Sequence, residues 1–150
     1  MCLITNKKPQ IATEDIIVYK ILLSDLSSVY QGFQYELNVV ECTEITQVNK
    51  GHYAPFCRMD HNYLEENFTN WVVDVYCGRL QAYKEGFHSI SSTIIEEYLK
   101  NDPPFAEEIL AKCVIPKGAT YIEDFVGFIV SNQIIILEKV SKDDVITSKT

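Results

Sequence analysis

Apolar and polar positions alternate in several short blocks along this chain, and each block predicts a strand. Asp15-Ile-Ile-Val-Tyr-Lys-Ile-Leu22 is β-branched and aromatic, the signature of a buried strand. Residues 23–32 are Ser-rich and end in glycine, so they predict a loop. Phe33-Gln-Tyr-Glu-Leu-Asn-Val-Val-Glu41 alternates with period two, which predicts a strand with one buried face. Trp71-Val-Val-Asp-Val-Tyr-Cys77 is strand-like, and Gly86-Phe-His-Ser-Ile90 predicts a short strand or turn. Ile109 to Ile115 alternates again and runs into the turn signal Pro116-Lys-Gly118. An extended pattern resumes over residues 119–122, breaks at 124–127, and returns at Ile129-Val130 and Gln133-Ile-Ile-Ile-Leu137.

One helix stands out. Thr93-Ile-Ile-Glu96 has capping-box spacing, in which hydroxyl and carboxylate each satisfy an orphan backbone donor. Ile94, Ile95, Tyr98 and Leu99 then share a face, and Asn101-Asp-Pro-Pro104 ends the run. Residues 49–70 are the least periodic and predict an irregular excursion. Strands dominate without regular β–α alternation. The fold class is therefore α+β, a mainly antiparallel sheet of short strands with one or two helices. No linker or repeat divides the 150 residues, which form one domain with a polar tail after about residue 140.

Composition narrows the partners. Lys plus Arg is 13 against 21 Asp plus Glu, a net charge of −8, so neither nucleic acid nor an anionic membrane surface is an expected partner. No apolar run reaches membrane-spanning length, and the first nine residues are too short and polar for a signal peptide. Five widely spaced cysteines without a C-x-x-C pair favour reduced thiols and a cytoplasmic protein.

Few groups are arranged for chemistry. His52, Cys57, Asp60 and His61 are zinc-ligand types, but H-x4-C-x2-D-H is not zinc-ligand spacing, so no metal is expected. Cys2 would be an N-terminal nucleophile after loss of Met1, yet Leu3 and Ile4 follow it and read as core residues. Glu96-Glu97 and Glu107-Glu108 are adjacent pairs, which do not face each other on a helix, and read as solvated faces. His88, within Gly86-Phe-His-Ser-Ile-Ser-Ser92, reads first as a structural histidine beside helix-capping hydroxyls. The alternative is a pocket lining at a strand-to-helix junction.

Two resemblances add to these readings. Cys2-Leu-Ile-Thr, Ile11-Ala-Thr-Glu-Asp-Ile-Ile-Val-Tyr-Lys20, Gly86-Phe-His-Ser and Ile115-Pro-Lys-Gly-Ala-Thr-Tyr121 together resemble a group of small uncharacterised bacterial and phage proteins, a likeness that implies a shared fold and no activity. More distantly, the chain order Tyr19-Lys20, Ser89-Ile-Ser91, Pro116-Lys-Gly118 and Ser131-Asn-Gln133 resembles the ADP-ribosyltransferases. That likeness implies an NAD-binding cleft holding Lys20, Ser89, Ser91 and Gln133. Lys20 stands where that family has arginine or histidine, and Gln133 where it has the catalytic glutamate. A neutral amide cannot stabilise developing positive charge, so the likeness implies an altered or degenerate cleft.

The leading expectation is a non-catalytic binding or interaction module without catalytic residues or cofactor. It would engage a small molecule, a protein or a second copy of itself, with Lys20, His88, Ser89, Ser91 and Gln133 as candidate ligand-binding residues. The alternative is the transferase-like scaffold with NAD.

Overall fold

The computed structural model describes residues 3–29, 32–47 and 81–146. Among them run β1 (Leu3–Thr5), β2 (Gln10–Ile11), β3 (Ile16–Leu23), β4 (Val40–Cys42), β5 (Thr46–Gln47), β6 (Gln81–Glu85), β7 (Phe87–Ser91), α1 (Ile95–Asn101), β8 (Glu108–Ile115), β9 (Thr120–Glu123), β10 (Phe128–Ser131), β11 (Gln133–Val140) and α2 (Lys142–Ile146). Eight strands make one antiparallel sheet in the order β2-β9-β10-β7-β3-β8-β11-β4, and β1-β6-β5 make a second, smaller one. The α+β class with a mainly antiparallel sheet is thus realised. None of the described helices is long and apolar enough to cross a membrane.

The β3 strand is the centre of the large sheet. It pairs with β8 along its whole length, from Ile16 opposite Ile115 to Leu23 opposite Glu108, and with β7 at Val18–Ser91 and Tyr19–Ile90. Alternation then divides the side chains between two faces. Val18, Leu22, Phe87, Ala111, Cys113, Ile115, Ile129, Ile134 and Ile136 form one buried cluster on the first face. On the second face, Ile90 and Leu110 pack beneath Ile95 and Leu99 of α1, and Ile122 and Val130 pack beneath Leu3 and Tyr83 of the small sheet.

The first face is covered by rolling the sheet. Only Asn132 separates β10 from β11, although β7, β3 and β8 lie between them in the sheet. The Asn132 N–H donates to the Thr120 carbonyl, and the Asn132 carbonyl accepts from Thr43 N–H. Its side-chain oxygen accepts from Thr120 N–H at 2.9 Å. The two flanks of the sheet, near β9 and near β4, therefore meet at this residue, with the apolar cluster inside.

Two sequence-based expectations need correction. The stretch 33–41 is a regular strand only from Val40. Asn38 has φ 61°, which breaks the two-residue alternation, and the stretch buries no continuous face: Tyr35 is buried while Phe33, Leu37, Val39 and Val40 are exposed. The Thr93 capping box does not form: α1 starts at Ile95 without a side-chain cap, and the Thr93 hydroxyl instead lies 2.9 Å from Ser91 Oγ. The β11 strand ends at Val140, where the polar tail is expected to begin, and Val145 and Ile146 of α2 pack against the α1 cluster. The expected strand at 71–77 and the irregular excursion at 49–70 lie outside the described residues.

Candidate functional site

Lys20 occupies an interior position of the central strand. The pattern Ile16, Val18, Lys20, Leu22 puts a lysine where period two requires an apolar residue, and its side chain is only 9% exposed. A buried ammonium normally has a carboxylate partner, because the desolvation cost of an unpaired ion is several kcal/mol. Among the described residues Lys20 has none. Its Nζ donates to the His88 carbonyl and lies 5.5 Å from the centre of the Tyr35 ring. Burial pulls its pKa down to about 8, opposed weakly by the nearby Cys113. Cys113, in turn, is pushed up to about 12 by burial against the smaller effect of the Lys20 charge, so its thiol is protonated at neutral pH. Burial also raises the Tyr35 phenol.

The β3–β7 register brings the predicted serines to the same place. Val18 is opposite Ser91 and Tyr19 opposite Ile90, so Lys20 comes level with Ser89 one step further on. Ser89 is 4% exposed, and its hydroxyl has no hydrogen-bond partner among the described residues. Satisfaction of buried hydroxyls is the rule, so a hydroxyl and a cation that both lack partners among the described residues define the candidate site. Ser91 is on the same face but already engaged. Its Oγ accepts from Thr93 N–H at 3.2 Å and contacts the Thr93 hydroxyl, forming the turn that leads into α1.

His88 and Gln133 do not join them. His88 is opposite Val130, whose side chain belongs to the cluster under the small sheet, so alternation directs the imidazole to the second face. Only its backbone carbonyl reaches Lys20. Gln133 opens β11 opposite Cys42, while Ile134 and Ile136 take the interior positions, so the corner at Asn132 turns the Gln133 side chain to the other face from Ser89. The proposed foursome of Lys20, Ser89, Ser91 and Gln133 is therefore reduced to a Lys20–Ser89 pair. His52, Cys57, Asp60, His61 and Cys2 lie outside the described residues.

Sequence reasoning missed an aromatic group that leads to this pair. Tyr35 and Phe87 have ring centres 6.0 Å apart, and Phe33 stacks at 4.8 Å from Tyr35 and 6.0 Å from Phe87. Phe33 is 41% exposed whereas Tyr35 and Phe87 are buried, so the trio runs from the surface into the packed interior beside Lys20. The alternation of residues 33–41 hinted at Tyr35, but nothing local in the sequence links it to Phe87. A separate groove of about 360 Å³ lies on the second face between the sheet and the helices, lined by Tyr19, Glu96, Lys112, Glu138 and Asp144 among others. It contains none of Lys20, His88, Ser89, Ser91 and Gln133, the candidate ligand-binding residues of the sequence.

No family model, curated protein or solved structure matches this chain.

Proposed function

We propose that this is a non-catalytic binding module of the cytoplasm whose ligand seat is the Lys20–Ser89 pair. The observation that carries the reading is a buried cation without a carboxylate partner, beside a buried hydroxyl without a hydrogen-bond partner, among the described residues. Both are satisfied together by one oxygen of an incoming anion. The surrounding groups are a hydroxyl, an aromatic ring and a protonated thiol, which suit holding a ligand rather than transforming it. Cys42 and Cys113 are free thiols, which supports a reducing compartment.

Thermal denaturation with small anions, cations and neutral molecules tests the reading. A ligand at a hundred times its dissociation constant adds about 2.7 kcal/mol of stability, which for a chain of this size raises Tm by roughly 5–10 °C. The expected result is a rise with anions that disappears in Lys20→Met. A rise that persists in that variant removes the site.

A second reading keeps the transferase-like scaffold. What favours it is that Lys20 and Ser89, two of the positions implied by that likeness, are level on neighbouring strands of one face. Release of nicotinamide from NAD by the protein would establish that reading and overturn the non-catalytic one.

A further inference from the structure

Beside the start of α1, an exposed apolar tip adjoins the groove of the second face. We infer that tip and groove are the two halves of one self-complementary surface. Two copies of the chain pair through it about a two-fold axis, the Phe125-Val126 tip of each entering the groove of the other. This surface is independent of the Lys20 seat, which belongs to the first face.

The turn between β9 and β10 holds the tip out. Phe125 and Val126 are 65% and 64% exposed. Asp124 Oδ1 accepts from the N–H groups of Val126, Gly127 and Phe128 at 2.7–2.9 Å, which gives the turn one shape. The Gly127 carbonyl accepts from Ser91 N–H, and a Cβ at Gly127 would meet Ile94 Cγ2 at 2.9 Å, so the turn is fixed against the start of α1. A lone exposed apolar side chain is ordinary, but two neighbours on a pre-shaped turn offer contact area at little entropic cost. A cation accompanies them: Lys7 Nζ donates to the Asp124 carbonyl at 3.3 Å and lies 5.5 Å from the centre of the Phe125 ring.

The groove has the matching character. Ile95, Val140 and Val145 give it apolar walls, while Glu96, Glu138 and Asp144 set three negative charges against the one positive charge of Lys112. Its volume of about 360 Å³ suits a side chain or two. Charge selects the occupant. The Phe125 tip brings Lys7, with Lys8 exposed next to it. Glu123 alternates with Ile122, which packs under the small sheet, so its carboxylate is turned from the second face. Phe105 is also exposed, but it stands between Asp102 and Glu107-Glu108 and would carry negative charge to a negative groove. Adjacency makes the contact reciprocal. Ser92, Ile95 and Glu96 of the groove follow directly on Ser91 and Ile94, which hold the turn. A tip and a groove on one patch can both be filled at once by a two-fold partner, and such an assembly closes at two.

Sedimentation velocity of the full chain, from about 10 µM to 1 mM, tests this. The expected result is a monomer that passes to a dimer and no further, with a dissociation constant on the order of 100 µM for so small an interface. Phe125→Ser should weaken it at least about tenfold, because each dimer loses two buried rings. Lys7→Glu and Asp144→Lys should each weaken it roughly three- to tenfold, and the double variant should recover most of the parent affinity. Phe105→Ser should leave it unchanged. All these positions are exposed, and unchanged melting shows that the variants fold. A monomer throughout overturns the pairing. A dimer that survives Phe125→Ser overturns this surface, and a mass that keeps growing past two overturns the two-fold arrangement. A double variant no tighter than the single ones overturns the placing of Lys7 at the groove.

Discussion

At pH 7 the Lys20 amine is mostly protonated, inside a sheet whose other interior residues are almost all apolar. Its pKa is about 8 in the folded protein against an ordinary 10.5. Below pH 8 both folded and unfolded chains hold the proton, and the folded state carries the whole cost of burying it, on the order of 3 kcal/mol. Between about pH 8 and 10.5 only the unfolded chain keeps the proton, so this cost fades and stability from Lys20 rises with pH. Cys113 and Tyr35 act in the opposite sense: both stay neutral when folded and ionise more readily when unfolded, so they lower stability as pH climbs past about 9. Lys20→Met isolates the first effect. Chemical denaturation at pH 7 should find the variant more stable by about 1–3 kcal/mol, with the gap to the parent closing as pH rises towards 10.5. A less stable variant at pH 7 would mean that the amine has partners that offset its desolvation.

The two described thiols give a second check on individual side chains. Cys42 is exposed, and Cys113 is buried with its Sγ donating to the Ala111 carbonyl. Mass spectrometry after brief alkylation of the native protein should find Cys42 labelled and Cys113 protected, with Cys113 reacting only on unfolding. Rapid native labelling of Cys113 would contradict its place in the closed interior.

Among the elements, the junction of β6 and β7 is the tightest. Gly86 has φ +134°, and a Cβ there would meet Val130 Cγ2 at 2.4 Å. Gly118 has φ +92° with open space around it. Both positions disfavour a side chain conformationally, but only Gly86 adds a clash with the sheet beneath it. Gly86→Ala should therefore cost at least about 2 kcal/mol more than Gly118→Ala in denaturant titrations. Equal losses would mean that backbone strain alone matters at both.

The same elements show what was legible in the sequence. Uninterrupted β-branched blocks were read directly: residues 15–22 became β3 and 109–115 became β8, each within a residue or so. Signals that depend on one hydroxyl were not. Thr93 fits a capping box by spacing, but Ser91 two residues earlier competes for it, and Ser91 N–H is itself tied to the Gly127 carbonyl. That tie comes from Gly127, just before β10 and 36 residues downstream of Ser91. Lys20 and Ser89 came together in the sequence only through the transferase likeness; no local pattern links them, because their adjacency depends on a pairing between strands 69 residues apart.

For the whole molecule, the sheet has two faces covered by different means. Helices and the small sheet cap the second face, whereas the first is enclosed by the large sheet's own roll. This division explains why Lys20 is so poorly hydrated although it stands on a strand within a single sheet. It also explains why Gln133, so close in sequence to Ser131 of β10, ends up on another surface: the chain changes flank between them.

Asn132 consequently works as a clasp. Inserting a short Gly-Ser segment after it would leave every strand pair available while no longer obliging the two flanks to touch. Alkylation of the buried Cys113 thiol should then quicken while the strand ladders still hold their amides against exchange. In that loosened form the amine of Lys20 would regain contact with water and titrate nearer to an ordinary lysine.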